Sequence, residues 1–171
     1  NEMNSKNIFI VGAMGSGKTS IGKLLAKKLN RRLIDTDHQI IKNHNKSITE
    51  IFDEFGEEYF RELETQELKK IVKIKNLIIS TGGGIILREE NIEIINNYGY
   101  VIFLDIDIKS QIKRLRNRHN RPLLDDHNLV NNLISLKKNR DPIYKNISDY
   151  IIDVSNIEKD LIIEKIQIAI K

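Results

Sequence analysis

The chain has 171 residues, 40% of them hydrophobic and 30% charged, which is the length of one domain with apolar side chains enough for one core. It has no cysteine, which excludes a disulfide framework, a thiol nucleophile, cysteine-bound zinc and an iron–sulfur cluster, and suits a reducing cytoplasm. Its 28 Lys and Arg against 24 Asp and Glu leave a net charge of +4, too mild for a nucleic-acid-binding stripe and better matched to small anions such as nucleotide phosphates.

Short continuous apolar runs at residues 7–11, 32–34, 77–80, 100–104 and 150–154 read as strands. Continuous rather than alternating runs suit parallel strands covered on both faces, with helices as the crossover connections, so the class is α/β. Between the first two runs, Ile21, Leu24, Leu25 and Leu29 recur at helical spacing. Ser47 and Glu50 form a capping-box pair ahead of Ile51 and Phe52, and Gly56 separates that short helix from a longer one through Ile71. Asp107 is placed to cap a helix through Arg116, and Ser155 or Asn156 to cap a last helix to Ile170. Residues 117–128 have little apolar periodicity and read as a long loop of the kind that forms lids. No apolar run approaches the roughly 18 residues of a spanning helix. The polar stretch before the first strand lacks the apolar segment of a signal peptide, and Met3 reads as the natural start.

Gly12-Ala13-Met14-Gly15-Ser16-Gly17-Lys18-Thr19 matches G-x-x-x-x-G-K-[ST] and falls between a predicted strand and a predicted helix, the context that gives the pattern meaning. The glycines let backbone N–H groups converge into a nest beside a positive helix end, where phosphate oxygens bind. Lys18 is suited to the β- and γ-phosphates and the Thr19 hydroxyl to Mg²⁺.

A phosphate loop leaves the acceptor open. Asp35-Thr36-Asp37 follows the second strand, at the sheet edge where ligands of open α/β folds bind. One acid there can hold a metal through water and the other can take a proton from a hydroxyl, although the same acids also serve as helix caps. Arg61 has Glu64 one helical turn away, either as a surface ion pair or as a fixed clamp for a substrate carboxylate. Gly82-Gly83-Gly84 after the third strand is either a tight turn or a place where a ligand approaches the backbone. Arg121 lies in the long loop, and Arg140-Asp141-Pro142-Ile143-Tyr144 closes the next helix. His38, His44, His119 and His127 show no metal-ligand spacing and read as surface residues.

In order along the chain, residues 12–20, Asp35-Thr36-Asp37, Phe60-Arg61 with Glu64, Thr81-Gly82-Gly83-Gly84, Arg121-Pro122-Leu123-Leu124 and Arg140 with Tyr144 resemble the shikimate kinase family, over nearly the whole length. The resemblance implies ATP-dependent phosphorylation of the 3-hydroxyl of shikimate in the chorismate route to aromatic amino acids. It implies a P-loop fold like that of the nucleoside monophosphate kinases, three layers around a five-stranded parallel sheet. It further implies one domain, with a shikimate-binding segment at about 35–64 and a lid at about 117–128. By resemblance, Gly15, Ser16, Gly17, Lys18, Thr19 and Ser20 hold the ATP phosphates, with Arg114 near adenine and Arg121 brought down by the lid. Thr19, and Asp35 through water, hold Mg²⁺. Asp37 binds the shikimate hydroxyls and is the candidate base, with Lys18 and Arg121 as the other catalytic candidates. Arg61 and Arg140 clamp the carboxylate, Gly82, Gly83 and Gly84 offer backbone, and Phe52 and Phe60 line the pocket. A cytoplasmic monomer without nucleic-acid or membrane partners is expected. A gluconate-type or nucleotide kinase on the same fold would give Arg61 and Arg140 another task, and a P-loop switch without an acceptor would have little need of Asp37 or Arg61.

Overall fold

The computed structural model describes residues 6–119 and 127–171. Among them, five parallel strands form one sheet: β1 (Asn7–Gly12), β2 (Arg32–Asp35), β3 (Leu77–Ser80), β4 (Gly99–Asp105) and β5 (Tyr150–Asp153), in the order β2-β3-β1-β4-β5. The helices are α1 (Lys18–Leu29), α2 (Thr36–His44), α3 (Ile48–Phe55), α4 (Glu57–Ile71), α5 (Glu89–Tyr98), α6 (Ile108–His119), α7 (His127–Ile147) and α8 (Lys159–Ala169).

The three layers follow from how the central strand alternates. Ile8 and Ile10 pack with Ile21 and Leu25 of α1 and Ile162, Ile163 and Ile166 of α8. Phe9 and Val11 point the other way, to Leu68 of α4, Ile95 of α5 and Tyr144 of α7. All four strand residues are fully buried, which is why β1 reads as an unbroken apolar run. Burying one such side chain contributes roughly 1.5–3 kcal/mol. A smaller cluster of Ile40, Ile51, Phe60 and Leu63 ties α2, α3 and α4 into a separate outcrop beside the sheet. The Ser47–Glu50 capping box is present, and Asp107 accepts from the Ser110 N–H at 2.7 Å.

Three sequence expectations are corrected. Neither Ser155 nor Asn156 caps the last helix: Glu158 stands at its N-cap, with no side-chain cap bond. Ser155 is already engaged, because its hydroxyl accepts the Asp107 N–H at 2.9 Å and its own N–H goes to Asp153 at 2.9 Å. Of the stretch 117–128 expected as a loop, residues 117–119 belong to α6 and 127–128 to α7; the rest lies outside the described residues. Nor does the helix bearing Arg140 end there: α7 runs past Pro142, which has no N–H to donate, to Ile147. His38 is exposed and His44 half-buried, while the side chains of His119 and His127 lie outside the described residues.

Because every strand is parallel, Gly12, Asp35, Ser80, Asp105 and Asp153 end along one sheet edge. The chain places β2 and β3 on one side of β1 and β4 and β5 on the other, so the crevice of a doubly wound sheet opens at the end of β1.

Candidate active site

Along that edge lies an open cleft of about 1260 Å³. Its floor is the loop between β1 and α1. Gly15 and Gly17 take φ values of 83° and 94°, the left-handed region where a side chain is strained, and this lets the loop curl tightly. Gly17 stands at the N-cap of α1 with no side-chain cap, so the first N–H groups of the helix remain open to an anion. The buried Ser16 hydroxyl closes the loop on the Ala13 carbonyl at 2.7 Å. Lys18 folds back onto the Gly12 and Ala13 carbonyls at 2.7 and 3.0 Å. Burial lowers its pKa to about 8, against the pull of Asp37 and Asp35, and the positive charges of Arg118 and Arg140 add to the lowering. Ser20 is half-buried on the first turn of α1 and lines the same cleft.

Two residues of α6 brace this loop. Gln111 Nε2 donates to the Met14 carbonyl at 2.8 Å, and Arg114 donates to Ser16 at 3.1 Å and to Val154 at 2.6 Å. Arg114 thus ties the phosphate loop to the chain leaving β5, and it lines the cleft beside Ile157 and Lys159.

Asp35 both caps α2 and faces Thr19. One oxygen caps α2 through the His38 N–H at 3.2 Å, and the other accepts the Thr19 hydroxyl at 3.4 Å. Two hard oxygen donors therefore stand together at the edge of the phosphate loop, the chemistry a small divalent cation favours. Among the described residues no group of three or more His, Asp or Glu side chains is placed to hold a metal. Asp37 is different: its Oδ1 is buried and has no hydrogen-bond partner. Burial, then the neighbouring Asp35, raise its pKa, while Lys18 and Arg61 oppose the rise.

The three glycines after β3 are explained by space. A Cβ on Gly82 would stand 2.4 Å from Asp37 Oδ1, and one on Gly84 2.3 Å from Arg61 Nη1. At Gly83 it would be 3.1 Å from Arg140 Nη1. The glycine run is the surface against which an acid and two guanidinium groups are pressed, and this is what brings Asp37, Arg61 and Arg140 together. The run is held in turn by Thr36, whose buried hydroxyl accepts the Gly82 N–H at 3.0 Å, and by Tyr144, whose hydroxyl donates to the Gly83 carbonyl at 2.7 Å. Burial pushes the Tyr144 hydroxyl up to about 12, so it remains a donor across the physiological range.

Arg61 donates to Glu64 at 2.7 Å and to Glu57 at 3.3 Å, and its guanidinium lies 5.3 Å from the Phe60 ring centroid and 6.0 Å from that of Phe52. The two rings are 4.9 Å apart. With its side chain only 1% exposed, Glu64 makes no surface pair with Arg61; it is a buried anchor behind it. Burial raises the pKa of Glu64, and the bond from Arg61 opposes that. The guanidinium Nε and Glu64 Oε2 are both buried without partners. Arg140 is half-buried on α7 and faces the same space. Arg121 lies outside the described residues.

Sequence reasoning passed over Gln111 and Lys137. Gln111 stands three positions before Arg114, a helical spacing that puts both on one face and was available as a signal. Lys137 donates to Asp105 at 3.3 Å, to the Ile106 carbonyl at 2.8 Å and to Asp141 at 2.5 Å, pinning α7 to the end of β4. Burial alone would lower its pKa, but the bonds to Asp141 and Asp105 outweigh burial and raise it.

A sequence profile of the family described as shikimate kinase matches residues 14–171. A shikimate kinase of Caldicellulosiruptor bescii is 44% identical over 161 residues, covering 94% of this chain and 93% of that one. Among solved structures, the shikimate kinase of Acinetobacter baumannii in complex with shikimate superposes with a TM-score of 0.86 at 36% identity, over 95% of this chain and 90% of that one. The enzyme of Bacteroides thetaiotaomicron gives 0.87 at 35%, over 95% and 97%. A fold, a cleft and a sequence that agree over nearly the whole length with the same set of proteins leave one assignment: the chain belongs to the shikimate kinase family.

Proposed function

We propose that this chain, a kinase of the shikimate family, binds ATP on the phosphate-loop side of the cleft and shikimate against the glycine run, and that the residues named above carry the transfer. The observation that carries the assignment of roles is the packing of Asp37, Arg61 and Arg140 onto Gly82, Gly83 and Gly84, within one cleft with Lys18. Two guanidinium groups suit a single substrate carboxylate, and a buried acid with a free oxygen suits a hydroxyl.

In this reading Gly15 to Ser20 and Lys18 hold the phosphates, and Arg114 lies toward the base. Thr19, and Asp35 through water, would hold magnesium, which when bound neutralises charge on the phosphate oxygens. Arg61 and Arg140 fix the carboxylate, Phe52 and Phe60 pack on the ring, and Asp37 orients the 3-hydroxyl and receives its proton. The new bond joins that oxygen to the γ-phosphorus as the bond to ADP breaks. A carboxyl whose pKa is raised is a better proton acceptor than a free aspartate, and the adjacent cations keep it ionised enough to act. Most of the rate then comes from position and electrostatics. The chain acts as one domain, with residues 35–64 as the acceptor segment, residues 117–128 with Arg121 as the lid, and a cytoplasmic monomer as the working form. Among the described residues no helix is long and apolar enough to cross a membrane.

Phosphorus NMR of the product tests the regiochemistry. A phosphate ester on the 3-hydroxyl is expected; an ester at another hydroxyl would mean that the acceptor lies differently against Asp37.

A further inference from the structure

Gln111, Arg114 and Arg118 follow one another at i, i+3 and i+7 on α6 and therefore share a face. That face is turned to the phosphate loop. Gln111 and Arg114 donate to the Met14 and Ser16 carbonyls, and between them Leu115 comes so close that a Cβ on Gly15 would stand 3.1 Å from it. Arg118 lies one turn further along, exposed, and lines the same cleft as Lys18 and Thr19.

Among the described residues Arg118, like Arg140 in the same cleft, has no carboxylate partner. Arg61 and Arg88 are bound to carboxylates, and Arg114 is spent on two backbone carbonyls. Among the described residues, the Arg118 side chain makes no hydrogen bond or ion pair. Its charge falls instead on Lys18, where it helps to lower the ammonium pKa. Lys18 and Arg118 are two cations facing one cleft, and although Asp37 and Asp35 pull on Lys18, an anion entering between the two cations would be held by both.

We propose that Arg118 is a further nucleotide-binding residue, one that contacts the terminal phosphates of ATP from the α6 side. The inference rests on reading the phosphate-loop side of the cleft as the ATP site. It adds a cationic contact from α6 to those already assigned to Lys18 and the loop N–H groups.

The test is the binding of ATP, ADP and AMP to the full chain with magnesium, beside steady-state kinetics, for wild type, Arg118→Gln and Arg118→Lys. The glutamine variant is expected to weaken ATP binding and raise its KM by about 5- to 20-fold, as for a charge-assisted contact partly screened by solvent. AMP affinity and the KM for shikimate are expected to stay within about twofold, and lysine to recover part of the loss. Melting temperatures should be equal, because Arg118 is exposed and, among the described residues, makes no hydrogen bond or ion pair. Unchanged ATP affinity in Arg118→Gln would overturn the proposal, as would an equal loss for AMP, which would put the contact at the base end. A wild-type chain that binds no ATP would instead defeat the reading of the cleft itself.

Discussion

Asp37→Asn is expected to lower kcat by about 10²- to 10⁴-fold while ATP binding changes by only a few-fold, because the substitution keeps the shape of the side chain and removes its ability to take a proton. Asp37 is costly to the fold as it stands: it is partly buried, one oxygen has no partner, and Asp35 is near enough to raise its pKa. The asparagine variant is therefore expected to melt no lower than wild type, and possession of a stable but inactive protein would separate a chemical role from a structural one. Single-turnover measurement of phosphoryl transfer, with calorimetric melting on the same preparations, reads both quantities. A kcat within tenfold of wild type would remove Asp37 from the chemistry and leave it as a side chain that shapes the pocket.

The second large effect is expected from a methyl group. Gly84 has φ −93°, which alanine adopts without strain, so the backbone does not object to Gly84→Ala. The added Cβ would stand 2.3 Å from Arg61 Nη1 and 2.5 Å from its Cζ, and one of them must move. The backbone of Gly84 is held by its neighbours, whereas the guanidinium is the end of a flexible chain, so Arg61 yields. It then leaves Glu64 and the Phe60 ring, and with them the position from which it can meet a carboxylate with two parallel bonds. The KM for shikimate is expected to rise about 10- to 100-fold, the usual worth of a bond to a charged group, while the KM for ATP stays the same. Titration of shikimate into the variant measures this directly. An affinity equal to wild type would mean that Arg61 does not bind the carboxylate.

Much of the fold was legible because burial on both faces leaves an unmistakable trace. Residues 8–11 and 100–104 are apolar without interruption, and both became central strands. The insertion of β3 between β2 and β1 was not legible, since a run of residues records that a strand is covered but not which strands flank it. The cap of the last helix was misplaced because Ser155 has a second use, its hydroxyl accepting from Asp107 in a part of the chain 48 residues away. The phosphate loop was readable because its chemistry is local: strand, glycines, lysine and helix are contiguous. The acceptor side is assembled from four separate segments, and there the residues alone left each alternative open. At Asp35 the helix-cap alternative is present, one oxygen capping α2, while the other oxygen faces Thr19. For Gly82-Gly83-Gly84, the sequence alone could not show the room that Asp37, Arg61 and Arg140 require there. That requirement exists only in three dimensions, as does the burial of Glu64, a residue whose sequence neighbours suggest an exposed helix.

The central claim is that this cleft transfers phosphate from ATP to shikimate, and release of ADP by the purified chain tests it most directly. ATP and magnesium would be supplied alone, then with shikimate, and in parallel with gluconate or a nucleoside monophosphate. The account predicts rapid ADP release that depends on shikimate and little release with the other acceptors. ADP release that is indifferent to shikimate, from a chain shown to bind ATP, would contradict it.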